Sequence, residues 1–227
     1  MPPRPAPKPA AEEARQRLLH AGLRLFAQQG FAQTTTRELA EAAQVNVAAI
    51  SYYFGDKAGL YRAAFTECSG PVDDEIARYA APGLTLQQAL QGFYAGFVEP
   101  LRRGEDARLF MKLYFREMLE PTGVWQETIE KDFRPQHAAL LALLARHLGL
   151  PSPDPDLQRL AICLAGLGVH LHVGHDINQQ LAPGLSDGPQ ALDEWIDALV
   201  RYALALVQAE ALRRGRPAPT PNGVADR

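Results

Sequence analysis

A short stretch in the first quarter of the chain brings together side chains that could contact the edges of nucleic-acid bases. Asn46, Ser51 and Tyr52 carry hydrogen-bond donors and acceptors, and the smaller Val47 and Ala48 would let a helix approach a groove closely. The major groove of B-DNA admits one helix and presents a pattern of donors and acceptors that such side chains can read. This combination predicts a surface that contacts double-stranded DNA.

A second set of polar residues suits the DNA backbone. Hydroxyl, guanidinium and ammonium groups are common partners of phosphate oxygens. The chain places such groups at or near the predicted starts of helices, where free N–H groups also favour anions. The candidate phosphate-binding residues in this set are Thr35, Thr36, Arg37 and Lys57.

Three histidines in the second half of the chain raise the alternative of a metal site. His172 shares a helix face with His175 and with Asp176, and two histidines with a carboxylate could hold zinc. His170 and His172 point to different sides of a helix, however, and cationic histidines are favourable near a helix end without any metal. Cys163 is the cysteine nearest to these histidines in the sequence. No nucleophile–base spacing, phosphate loop or HExxH motif supports an enzyme. We therefore expect no metal, no cofactor and no catalysis, with a metal-dependent enzyme or metal sensor as the alternative.

The residues that could contact DNA lie on two predicted helices joined by a three-residue turn. The first helix covers about 35–43 and opens with a capping box, in which the side chains of Thr35 and Glu38 each bond the other's backbone N–H. The second covers about 46–53, with Asn46 as its N-cap. Two short helices with this connection have the geometry of a helix-turn-helix, whose second helix lies in the major groove.

The rest of the chain is also predicted to be helical. Apolar residues recur at three-and-four spacing, and no alternating run is long enough for a convincing strand. We expect an all-α fold of about nine helices, with an N-terminal three-helix domain that holds the helix-turn-helix. Four other predicted helices have recognisable ends. They cover about 12–29, ending at Gly30; 56–68, capped by Asp56; a stretch that begins with a Thr85–Gln88 capping box and ends between Pro100 and Gly104; and 187–214, capped by Asp187 with Gln190. The remaining predicted helices cover about 106–119; 121–148, kinked near Pro135; and 152–174, beginning at Ser152-Pro153.

Composition and charge exclude several classes of protein. The net charge is −3. Residues 1–67 contain eight Lys and Arg and six Asp and Glu, whereas residues 68–227 contain 15 Lys and Arg and 20 Asp and Glu. The slight positive charge of the first segment is compatible with DNA binding but is not evidence for it. Two cysteines cannot build a disulfide framework. No apolar run approaches the roughly 18 residues that span a bilayer, and the proline-rich start does not resemble a signal peptide. We expect a cytoplasmic protein with no membrane contact.

A set of short motifs at fixed spacing covers the predicted helix-turn-helix and its flanks, namely Gly30-Phe31, Thr34-Thr35, Leu39-Ala40, Ala42-Ala43-Gln44-Val45, Tyr52-Tyr53-Phe54 and Lys57. With these motifs, residues 12–67 resemble the DNA-binding domain of the TetR family. The run 46–61, with Phe115-Arg116-Glu117 and Glu120-Pro121-Thr122, further resembles the CecR-like branch of that family. Two positions depart from the family pattern. Gln44 stands where a turn glycine is usual and must tolerate a left-handed conformation, and Ser51 stands where many relatives carry a larger residue.

The resemblance implies roles for particular residues. Thr35, Tyr52 and Lys57 would bind phosphates, while Tyr53 and Phe54 are expected in the core. The residues facing the groove would be Asn46, Val47, Ala48 and Ser51. Arg116 and Glu117 would either touch a ligand or pair with each other. The implied domains are a flexible tail at 1–11, the helix-turn-helix domain at 12–67, a ligand-binding and dimerisation domain at 68–214 and a flexible tail at 215–227.

The resemblance also implies a homodimer and an unknown small-molecule effector. The last two helices would pack against those of a second copy, since each carries small or apolar residues along one face, although a monomer core would give a similar pattern. These residues are Ala161, Ala165 and Gly168 in the first of the two helices, and Leu192, Trp195, Ile196, Leu199, Val200, Ala203 and Leu206 in the second. The expected function is a ligand-responsive repressor of a palindromic operator, with a ligand-independent regulator as the alternative. Aromatic and sulfur side chains would line the effector pocket or simply fill the core, and these are Phe93, Phe97, Phe110, Met111, Tyr114, Met118 and Trp125.

Overall fold

The computed structural model describes residues 9–67, 72–123, 126 and 129–223. The regular elements in these ranges are helices, which confirms the predicted all-α class. A five-residue π-helical segment, Ile129–Phe133, precedes the eighth of eleven α-helices. The α-helices are α1 (Pro9–Gln33), α2 (Thr36–Ala42), α3 (Ala48–Phe54), α4 (Lys57–Thr66), α5 (Val72–Ala80), α6 (Leu86–Arg102), α7 (Glu105–Leu119), α8 (Arg134–His147), α9 (Pro155–Val173), α10 (His175–Leu181) and α11 (Gly188–Arg213).

Two of these helices were not predicted as separate elements. Helix α5 has nine residues and α10 has seven. Such short helices depend on packing to persist, and α10 begins without the side-chain cap that would mark its start in the sequence. The predicted count of about nine was therefore low.

Two helix starts were predicted correctly, because the capping side chain and its backbone partner lie within one turn of the helix. The Oδ1 atom of Asp56 accepts the N–H of Gly59 at 2.7 Å and caps α4. Thr85 and Gln88 exchange both hydrogen bonds of the expected capping box at the start of α6. These two predictions are confirmed.

Other predicted starts were wrong in detail. Helix α9 does not begin at Ser152-Pro153, because the Oδ1 atom of Asp154 accepts the N–H of Leu157 at 2.8 Å and fixes the cap there. Asp187 stands at the N-cap of α11 but makes no capping bond with its side chain. Its carboxylate instead accepts the amide of Gln179 at 3.3 Å, so the expected box with Gln190 does not form.

The chain forms two compact units. The first contains the described residues 9–67 together with 103–123, and the second contains the rest. Helix α7 therefore belongs to the first unit, where its Leu109 and Leu113 join the same buried cluster as Leu18, Ile50 and Leu60. The assignment of 12–67 to DNA binding and of 68–214 to ligand binding and dimerisation stays a prediction.

The second unit is built around α6, α8, α9 and α11. Its buried cluster includes Leu90 and Tyr94 of α6 and Ala203 of α11. Part of the predicted C-terminal tail contacts this unit, because the N–H of Gln87 donates to the carbonyl of Pro221 at 3.0 Å. Residues 1–8 of the predicted N-terminal tail lie outside the described residues.

Candidate nucleic-acid interface

The connection from α1 to α2 is tightly constrained. Gly30 interrupts the regular geometry of α1 with φ 83° and ψ 167°, a conformation that costs glycine little. A side chain at this position would also meet the Nη1 atom of Arg116, which lies 2.7 Å from an ideal Cβ. The Thr34 hydroxyl donates to the Gly30 carbonyl at 2.7 Å, and Thr34 is fully buried. The predicted helix end at Gly30 thus corresponds to a kink, since the chain resumes helical geometry to Gln33.

The predicted capping box at the start of α2 is present. The backbone N–H of Glu38 donates to Thr35 Oγ1 at 3.2 Å, and the backbone N–H of Thr35 donates to Glu38 Oε2 at 2.8 Å. The Thr35 hydroxyl donates to the same carboxylate oxygen at 2.7 Å. The backbone N–H of Thr35, followed by its hydroxyl, lowers the pKa of Glu38. The Thr35 side chain is therefore occupied at the cap, while Thr36 and Arg37 beside it are exposed.

The turn between α2 and α3 contains the unusual residue of the motif. Gln44 has φ 55°, which confirms the left-handed conformation expected where relatives carry glycine. The N–H of Val45 reaches the carbonyl of Ala40 at 2.9 Å, and the N–H of Gln44 reaches that of Glu41 at 3.1 Å, the two bonds of a Schellman motif. Arg17 Nε adds a hydrogen bond to the Ala43 carbonyl at 3.0 Å.

The predicted groove-facing residues lie together on α3 and the residues just before it. Asn46, Val47, Ala48 and Ser51 are all exposed, and Tyr52 is 78% exposed. The regular helix begins at Ala48, two residues after the predicted start, and Val47 just before it already has helical dihedral angles. Asn46 still bonds the helix start, since its Oδ1 atom accepts the N–H of Ala48 at 2.9 Å.

The opposite side of α3 packs into the first unit. Ile50 is buried, and Tyr53 and Phe54 are half-buried against the same cluster, as expected. The guanidinium of Arg15 lies 5.2 Å from the centroid of the Phe54 ring and pairs with Glu67. Helix α3 is thereby held with one face buried and the other presented outward.

Lys57, predicted as a phosphate contact, has its ammonium inside the unit. Its Nζ atom donates to the carbonyls of Phe31 and Thr34, each at 2.9 Å. It also lies 4.2 Å from the centroid of the Phe31 ring. Sequence reasoning missed these bonds, as it missed Arg17, because each joins residues 23 or more positions apart and no local pattern signals them.

The predicted effector-binding residues do not form one group within either unit. Phe93 and Phe97 lie in the second unit with their ring centroids 5.3 Å apart, and Phe93 is buried in its core. Phe110 and Tyr114 lie in the first unit and pack against its buried cluster, with their centroids 5.9 Å apart. Met111 and Met118 are also in the first unit, the latter 40% exposed, and Trp125 falls outside the described residues.

The polar pair on α7 has partners that the sequence did not predict. Arg116 pairs with Glu120 and donates to the carbonyl of Gln28 at 3.3 Å. Glu117 is fully buried, and its Oε2 atom accepts the hydroxyl of Tyr61 at 2.5 Å. Burial first, and then this hydrogen bond, raises the pKa of Tyr61. Both residues thus connect α7 to other parts of the first unit.

His172 and His170 differ in burial. His172 Nε2 lies 2.7 Å from the carbonyl of Phe97, and burial lowers the pKa of His172. His170 and Cys163 are exposed, and the side chain of Asp176 is outside what the structure describes. Among the described residues, no three His, Cys, Asp or Glu side chains are grouped as a metal ion would require.

Comparisons with known proteins agree on one family. Residues 18–64 match the description "Bacterial regulatory proteins, tetR family", and residues 86–209, more than half of the chain, match the C-terminal domain of the HTH-type transcriptional dual regulator CecR. CecR of Shigella flexneri is 30% identical over 160 residues, which cover 66% of this chain and 71% of that protein. The regulator AcrR of the same organism is 33% identical over 112 residues, 48% of this chain and 52% of that protein.

Solved structures support the same fold. A tetR-family transcriptional regulator from Streptomyces coelicolor superimposes with a TM-score of 0.57 at 19% identity, over 89% of this chain and 83% of that one. No helix within the described part of the chain has the length and apolar character needed to cross a membrane. The chain is therefore a DNA-binding transcriptional regulator of the TetR family, with a C-terminal domain of the CecR type.

Proposed function

We propose that the exposed face of α3 reads operator DNA in the major groove. The observation that carries this proposal is the sharp division of α3 into a buried side and an outward side. Ile50 is 1% exposed whereas Tyr52, two residues later, is 78% exposed. The outward side combines the Tyr52 hydroxyl, which can bond a phosphate oxygen, with small and polar side chains that the major groove can accommodate. The base-reading residues proposed are Asn46, Val47, Ala48 and Ser51, with Tyr52 at the edge of the groove bonding a phosphate.

The backbone contacts we propose flank this face. Thr36 and Arg37 are exposed at the start of α2, and a guanidinium there suits a phosphate oxygen. Thr35 would contribute less with its side chain, because its hydroxyl is already bonded to Glu38. Lys57 is not among these contacts, because its ammonium has two partners inside the protein.

We also propose a homodimer on a palindromic operator, with reading helices one helical turn of DNA apart. Exposed apolar side chains on α9 and α11 support it. Ile162 is 63% exposed on α9, and Tyr202 and Leu212 are exposed on α11. The residues that periodicity suggested for this face mostly pack inside the protomer instead, since Ala161, Gly168, Leu192, Leu199, Val200 and Ala203 are buried.

We further propose that a small-molecule effector modulates DNA binding and that the protein, acting in the cytoplasm, catalyses no reaction. An effector shifts the DNA-binding equilibrium only as far as its affinity for the DNA-bound protein differs from its affinity for the DNA-free protein. Phe93, one of the expected pocket residues, is buried in the core of the second unit, and its burial favours a second candidate, a regulator whose second unit serves only dimerisation. Thermal unfolding with a panel of compounds, followed by operator titration with each hit, separates the two candidates.

The experiment that tests DNA reading begins with genome-wide mapping of bound sites. The proposal predicts a palindromic motif, including a site near the regulator's own gene, and a salt-dependent preference of the purified protein for that site over a scrambled duplex. Equal affinity for both duplexes at every salt concentration would refute it.

A further inference from the structure

We propose that Lys57 is a positioning residue for the DNA-binding surface, which holds the start of α2 in place, and that it is not a phosphate contact. This inference rests on the proposed function and assigns Lys57 a role different from the one the family resemblance implies. Its basis is the position of the ammonium, which donates to the carbonyls of Phe31 and Thr34 at 2.9 Å each.

The two carbonyls need a donor because of the way α1 ends. In a continuing helix the N–H of Thr35 would bond the carbonyl of Phe31, four residues earlier. In this protein the N–H of Thr35 bonds Glu38 in the capping box instead. The box therefore leaves the Phe31 carbonyl without its helical donor, and Lys57 supplies one. Thr34 is the last residue before the cap, so its carbonyl likewise falls outside both helices.

The surroundings of the ammonium favour this arrangement over a contact with DNA. An ammonium has three donors, and two of them are directed at these carbonyls. The ring of Phe31 lies against the charge, with 4.2 Å between Nζ and the ring centroid, a favourable cation–π distance. Lys57 is half-buried, whereas Arg37 on α2 is exposed. Movement of the ammonium to a phosphate would break both bonds and the ring contact together.

The base of the Lys57 side chain is itself fixed. Lys57 is the first residue of α4, and Asp56 caps this helix through the N–H of Gly59 at 2.7 Å. A helix start anchored in this way gives the side chain a defined origin. Lys57 thus ties α4 to the last turn of α1, through the carbonyl of Phe31, and to the link that follows it, through the carbonyl of Thr34. That link sets the position of Thr36 and Arg37.

The first test uses the wild-type protein and needs no DNA. Competitive reductive methylation, read by mass spectrometry, compares the reactivity of Lys57 with that of Lys112, an exposed lysine on α7. We expect Lys57 to react at least about tenfold more slowly in the free protein, because its ammonium is bonded. Equal reactivity of the two amines would overturn the proposal even if the protein binds its operator as expected.

The second test compares two substitutions by operator titration at several salt concentrations. A lost phosphate contact reduces the slope of log affinity against log salt by about one. Arg37→Met should show this reduction. Lys57→Met keeps the unbranched stem, and it should lower affinity about tenfold at every salt concentration with the slope unchanged. A slope reduced by about one in Lys57→Met would identify Lys57 as a phosphate contact and contradict the proposal.

Hydrogen exchange in the absence of DNA separates this inference from the proposed function. We expect the amides of residues 31–38 to exchange at least about tenfold faster in Lys57→Met, and to be unchanged in Arg37→Met. Failure of the wild type to prefer any duplex would refute the proposed function alone. Unchanged exchange in Lys57→Met would refute the positioning role alone.

Discussion

Removal of the Tyr61 hydroxyl tests the buried contact between α4 and α7 in the first unit. The substitution Tyr61→Phe keeps the ring, which lies at 4.9 Å from Phe26 between ring centroids, so packing should change little. The substitution removes the hydrogen bond of 2.5 Å from the Tyr61 hydroxyl to Glu117 Oε2. Glu117 is 0% exposed, so water cannot replace the lost donor without a rearrangement.

The expected magnitude follows from the charge of the acceptor. The other carboxylate oxygen of Glu117 accepts both the N–H and the hydroxyl of Thr122, at 2.7 and 3.0 Å, an arrangement suited to the ionised form. A buried hydrogen bond to a charged acceptor contributes about 1.5–3 kcal/mol. We therefore expect Tyr61→Phe to lower the free energy of unfolding by about 2 kcal/mol, or the melting temperature by about 4–8 °C for a chain of this length.

Tyr94→Phe is the matched control. Tyr94 is equally buried, and its hydroxyl donates to a neutral acceptor, the carbonyl of Leu164, at 3.1 Å. Its removal should cost only about 1 kcal/mol. Chemical denaturation followed by circular dichroism measures the free energy of unfolding of both variants. A double-mutant cycle of Tyr61→Phe and Glu117→Gln measures the coupling energy between Tyr61 and Glu117. A loss in Tyr61→Phe no larger than that in Tyr94→Phe would refute the reasoning.

Three further predictions concern the turn, the second unit and the dimer. Gln44→Gly should raise the free energy of unfolding by about 1 kcal/mol in denaturant titrations, because φ 55° strains a residue with a Cβ atom; a loss of stability would contradict this. The hydrogen bond from Arg214, followed by that from Leu157, lowers the pKa of Asp154, so its contribution is complete above the unfolded carboxyl pKa and disappears as pH falls through the folded one. The difference in melting temperature between wild type and Asp154→Asn should therefore shrink on acidification below about pH 4, and a constant difference would contradict the ion-pair role. Tyr202→Glu should give monomers in sedimentation measurements, whereas a dimer of undiminished affinity would exclude this part of α11 from the interface.

The features that the sequence predicted best are those decided within a few residues. The Thr35–Glu38 box forms because both partners lie within one helical turn. The left-handed conformation of Gln44 was predicted from the family resemblance, because related sequences carry a glycine at this turn position. The outward face of α3 followed from the spacing of Ile50 against Tyr52.

The features that the sequence did not predict depend on residues far apart in the chain. Lys57 bonds carbonyls 23 and 26 residues earlier, and Glu117 bonds a hydroxyl 56 residues earlier. Periodicity gives an apolar face for a helix such as α11 but not the choice between its own core and a second copy. Leu199 is buried in the protomer whereas Tyr202 is 53% exposed, and only the packed structure distinguishes them.

The most direct test of the central claim, that the outward face of α3 reads DNA, compares Tyr52→Ala with Leu181→Ala. Both residues are 78% exposed, but Leu181 belongs to α10 in the second unit, so the two substitutions truncate equally accessible apolar side chains at different places. Fluorescence anisotropy with the mapped operator should show weaker binding by Tyr52→Ala at all salt concentrations and wild-type affinity for Leu181→Ala. Equal affinity of wild type and Tyr52→Ala for the operator would contradict the account.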